Sequence, residues 1–66
     1  MITEQEIMNN AFKEMIFREE NMAKKYADIS VQITDPKLQK MLKGLEQSAR
    51  NHYSTLSQTM SKFSIV

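Results

Sequence analysis

Two side chains in this sequence have the chemistry of a site, and both are set in helix-forming surroundings. Glu19 lies in the stretch FREENMAKKYADIS, Phe17 to Ser30. On a helix it lands among Met15, Met22 and Tyr26, near the middle of an apolar face. His52, the single histidine, falls within the apolar face of a later segment. A carboxylate and a neutral imidazole are ordinary ligands for zinc, iron or manganese. The same two groups facing each other across a helical interface also make a hydrogen-bonded pair with no metal. Such a pair can help select register or oligomeric state, at some cost in stability. A third reading lets the long Glu19 side chain swing out to water. Glu46, at the edge of the second stripe beside Leu42 and Tyr53, is the next carboxylate that could lean toward the pair. Tyr26, two turns after Glu19 on the same face, is the other candidate neighbour. No serine is placed with histidine and aspartate for nucleophilic catalysis, and no glycine-rich loop is present to cradle phosphate.

Length and composition limit what can position these groups. Sixty-six residues make one small domain, and a chain of this size buries only about 60% of its unfolded surface. Small scaffolds compensate with disulfides, a metal or a partner subunit. The absence of cysteine removes disulfides and thiolate metal sites. What remains is self-association, a metal held by oxygen and nitrogen, or both. Nine basic against eight acidic side chains give a net charge of +1, without the one-sided basic cluster of a nucleic-acid interface. The opening MITEQEIMNN lacks the basic start and apolar run of a signal peptide. No run approaches the length needed to cross a bilayer. The expectation is a soluble, cytoplasmic protein that meets neither nucleic acid nor membrane.

The elements are legible from punctuation. Thr3 with Glu6 three residues on has the spacing of a capping box. In TDPKL, Asp35 is a good N-cap and Pro36 suits the first helical position. A residue before proline avoids helical dihedrals, so the first helix should end near Ile33. The spacing predicts a helix over about 4–33, a corner at 34–35 and a helix over about 36–63. Each is roughly 28 residues and about 42 Å long. The tail FSIV carries no signal that decides between fraying and folding back.

Helical periodicity gathers Ile7, Met8, Ala11, Phe12, Met15, Ile16, Met22, Ala23, Tyr26, Ala27, Ile29 and Ile33 on one arc of the first helix. Leu38, Met41, Leu42, Leu45, Ala49, His52, Tyr53, Leu56, Met60 and Phe63 form the stripe of the second. The first arc covers roughly half the circumference, more than one neighbouring helix can bury. The sequence therefore predicts an all-α fold, a two-helix antiparallel hairpin that dimerises into a four-helix bundle. Met8, Met15, Met22, Ile29, Leu45, Ala49 and Leu56 are its expected dimer core, the methionines serving as gap-fillers. Mid-helix residues approach a two-fold axis, so two copies of Glu19 and two of His52 would converge there. Phe17 and Val31 fall off the arc, and Gly44 sits off the core face of its helix with no evident reason.

The stretch ENMAKKY with the residue before it, EENMAKKY from Glu19 to Tyr26, resembles the first-helix signature of ferritin-like proteins, rubrerythrins among them. ITDPKLQKMLKGLEQSARNHYSTL resembles their second helix, with its DP-x-L entry, apolar heptads and mid-helix histidine. The resemblance implies a ferritin-like four-helix bundle with Glu19 and His52 as metal ligands. In that superfamily a Glu-x-x-His pair also supplies a glutamate shared between two metals. Here that position holds Ala49, so oxidase or peroxidase chemistry is not expected. The chain is more narrowly similar to small helical proteins of the spore coat F type from spore-forming Firmicutes. That likeness implies a non-enzymatic, self-associating structural or interaction protein, with a homodimer and a spore-coat or other protein as partners. The alternative it leaves open is a metal-binding remnant with an inter-subunit Glu19–His52 site for iron, manganese or zinc.

Overall fold

The computed structural model describes Thr3 to Phe63. The tail residues Ser64 to Val66, whose placement the sequence left undecided, lie outside the described residues. Helix α1 spans Glu4–Gln32 and helix α2 spans Pro36–Lys62. Both begin as the sequence predicts. The Thr3 hydroxyl oxygen accepts from the Glu6 backbone N–H at 3.1 Å and donates to the Glu6 carboxylate at 3.3 Å. The Asp35 carboxylate accepts from the N–H groups of Lys37 at 2.8 Å and Leu38 at 3.3 Å. These bonds satisfy donors that a helix start otherwise leaves open. Ile33 ends α1 in an extended conformation, φ −105° and ψ 132°.

Three residues join the helices, so α2 runs back along α1. Gln39, one turn into α2, clasps the corner: its amide donates to the carbonyls of Ser30, at 3.4 Å, and Ile33. These belong to the C-terminal carbonyls that α1 cannot pair internally. Glu19 meets His52 about a dozen residues further along the pair, which fixes the antiparallel register.

Burial follows a spacing of three and four residues. Along α1 and its C-cap the series of less exposed positions is Asn9, Phe12, Ile16, Glu19, Ala23, Tyr26, Ser30 and Ile33, with Ala27 half-buried beside it. On α2 it is Gln39, Leu42, Glu46, Ala49, Leu56 and Met60, with Tyr53 completing it at slightly higher exposure and Ser57 and Thr59 half-buried beside it. That is the seven-residue repeat of a coiled-coil seam. Its most deeply buried members are small residues: Ala23 is 2% exposed and Ala49 4% in its middle, and Ser30 8% nearer the corner. Small side chains let the helix backbones approach closely, and the Ser30 hydroxyl disposes of its proton locally on the Ala27 carbonyl at 2.9 Å. The hairpin measures 51 × 21 × 11 Å, so it is one helix thick and has no second layer behind it. Gly44 faces open space; a Cβ there would meet nothing within 4 Å.

Candidate functional site: the Glu19–His52 pair and its flank

Glu19 holds a seam position on α1, and its half-buried side chain points toward α2. His52 lies on α2 one residue before the seam residue Tyr53. The imidazole Nδ1 and the carboxylate Oε2 face each other at 3.4 Å, with side-chain exposures of 64% for His52 and 30% for Glu19. This is a charged pair only while the imidazole is protonated. At that exposure an ion pair contributes at most about 1 kcal/mol.

The other two candidates are placed differently. Glu46 occupies the seam, but its carboxylate accepts from Arg50 on its own helix at 2.8 Å. Tyr26 lies in the seam two turns closer to the corner and is half-buried. Among the described residues no three His, Asp or Glu side chains converge on one point. One chain thus offers two donors where a tetrahedral metal needs four. A complete metal centre does not fit within a single hairpin.

The apolar arc of the first helix is divided by the fold. Phe12, Ile16, Ala23 and Ile33 enter the seam. Met8, Met15, Met22 and Ile29 do not: each precedes a seam residue by one position and stays 38% to 39% exposed. Leu38 and Leu45 hold the equivalent positions on α2, Leu45 at 40%. Antiparallel helices are related by a local two-fold, so equivalent positions lie on the same side of the seam. Glu20 and Arg50, an equivalent pair of the opposite kind, line one recess with Ala23 and Tyr53 on the other side. The hairpin therefore has one apolar flank and one charged flank. Glu19 and His52 lie at the middle of the apolar one. Of the expected dimer core, Met8, Met15, Met22, Ile29 and Leu45 are on this flank. Ala49 and Leu56 are instead enclosed between the two helices of the chain itself.

Sequence periodicity gave no sign of two features. Asn9 occupies a seam position, and among the described residues its buried Oδ1 has no hydrogen-bond partner. Gln39 holds the corner through backbone carbonyls; its signal was a glutamine at a heptad position, which an apolar count passes over.

No protein-family model, curated protein or solved structure matches the chain.

Proposed function

We propose that this chain is half of a helical bundle: a non-enzymatic, self-associating structural or interaction protein of ferritin-like, coat F-like type, whose working unit holds two chains. The observation that carries the reading is surface area. The hairpin exposes 5293 Å², whereas a folded monomer of 7.7 kDa exposes about 4,300 Å² by the usual scaling with mass. The excess of about 1,000 Å² is what each partner gives up in a standard-sized interface. Buried side chains tell the same story, since the only buried apolar ones among the described residues are two alanines. Sedimentation equilibrium tests it directly. The expected result is a dimer at micromolar concentration that unfolds as it dissociates; a compact monomer over the whole range would overturn the reading.

The 3.4 Å approach of Glu19 to His52 favours one second reading, a metal site completed by two chains. Glu19 and His52 from each would supply four donors, with Ala49 leaving no shared glutamate for a second ion. Metal analysis of protein purified without chelators would give near one ion per dimer, lost in His52→Ala. Metal-free wild-type dimer that takes up no zinc, iron or manganese would remove this reading and leave the first intact.

A further inference from the structure

The half-bundle reading says that a second copy is needed, and it leaves open which surface that copy covers and which way it lies. We propose that the second chain covers the Met8, Met15, Met22, Ile29, Leu38 and Leu45 flank, with α1 of each chain lying over α2 of the other and both corners at the same end. This inference rests on the half-bundle reading and adds the face and the orientation.

The choice of face follows from composition. The flank repeats an apolar side chain every seven residues along α1, the period that lets one helix follow another over many turns. The opposite flank carries Lys13, Glu20, Lys43 and Arg50, whose desolvation works against association. Beyond the flanks, Phe17 and Val31 are solitary apolar residues among polar neighbours, and such residues are normal on a surface. Only the methionine–leucine flank is both continuous and long enough to account for the missing burial.

The orientation follows from charge. Two hairpins stacked on this flank have two isologous choices. With the two-fold across the helices, α1 lies over α1. Residue 18 is the midpoint of α1, which runs from 4 to 32. Arg18 is on the outer edge of the flank, paired with Glu14 of its own helix at 2.7 Å, so in this arrangement it meets its own copy at the axis and only part of its charge is offset. Like charges juxtaposed at an interface oppose association. With the two-fold along the helices, α1 lies over α2. The edge of α1 that carries Arg18 and Lys25 then runs beside the edge of α2 that carries Ser48 and Thr55. No like-charged pair forms. Glu19 also lies at the level of the other chain's His52, so the exposed imidazole gains a second carboxylate facing it. The second arrangement removes a repulsion and adds an attraction, both at mid-helix.

Two measurements test face and orientation apart from self-association. The face is tested by sedimentation equilibrium of Met15→Glu against Phe17→Glu. The expected result is dimerisation at least about tenfold weaker for the first and unchanged for the second. Equal effects, or weakening by Phe17→Glu alone, would overturn the face. Orientation is read on a chain with an intact flank, so that it does not depend on the fold of Met15→Glu. The chain has no cysteine, so Thr34→Cys at the exposed corner takes a single nitroxide label. Pulsed electron–electron resonance should give a distance within about 25 Å, since packed helices lie about 10 Å apart. A distance near the hairpin's 51 Å length would put the corners at opposite ends and overturn the orientation. A monomer in every sample would instead overturn the half-bundle reading, and this inference with it.

Discussion

Glu19 shows how one residue can be polar in an apolar row without destabilising the chain much. Its carboxylate is half-buried, yet its partner His52 faces solvent, so replacing Glu19 orphans no buried charge. Glu19→Leu is therefore expected to be neutral or to stabilise by up to about 1 kcal/mol, through added apolar burial in the seam. Urea unfolding of the variant and the parent at equal concentration checks this. A midpoint that falls would mean that the pair contributes more than its exposure allows. Asn9 is the contrasting case. Among the described residues its buried Oδ1 has no partner, and an acceptor left unsatisfied when buried costs about 1–3 kcal/mol. It lies on α1 near the open end of the hairpin, where the helices have no corner to hold them.

At the scale of the element, each helix owes its ends to its caps and its middle to tertiary contact. The i,i+4 pairs Glu14–Arg18 at 2.7 Å and Glu20–Lys24 at 3.4 Å support the exposed face of α1, and Glu46–Arg50 at 2.7 Å turns a seam carboxylate outward along α2. Exposed pairs of this kind contribute about 0.3–0.5 kcal/mol each. Against them stands Gly44 in the interior of α2, at a position with no neighbour that would resent a methyl group. Gly44→Ala should stabilise the chain by up to about 1 kcal/mol, the difference in helix propensity. Circular dichroism during urea unfolding would show a higher midpoint with an unchanged slope. No gain would mean that the glycine has a role outside the single chain. The caps and the corner were legible because their residues act locally: Thr3, Asp35 and Pro36 need only their own neighbours. Gln39 was not, because its partners Ser30 and Ile33 are brought within reach only when the corner has closed.

For the whole molecule, the decisive property is thinness. A layer 11 Å deep has an inside only along its seam. Among the described residues no helix is long and apolar enough to cross a membrane, so the uncovered flank does not belong to a spanning segment. If two chains fold as one unit, thermal stability must depend on concentration by mass action. With an unfolding enthalpy scaled to two chains of 66 residues, Tm should rise about 5 °C for each tenfold increase in protein. Scanning calorimetry at several concentrations measures this. A constant Tm would show that the fold of one chain is independent of any other.

The sequence by itself determined the elements: two helices, their N-caps, a short corner placed to within one residue, and an apolar arc wider than one neighbour can cover. Those are local or periodic properties, written in each residue and its third, fourth and seventh neighbours. Only the tertiary structure decided how that arc is shared. It sent Ala23 and Ala49 inward, left Met15, Met22 and Leu45 outside, and brought the Glu19 carboxylate within 3.4 Å of His52. The physical reason is that a broad apolar arc is compatible with several seams. The one chosen carries a small residue of each helix, Ala23 and Ala49, among its larger side chains, and these two are the most deeply buried apolar residues described, because small side chains let backbones come close and contact become complete.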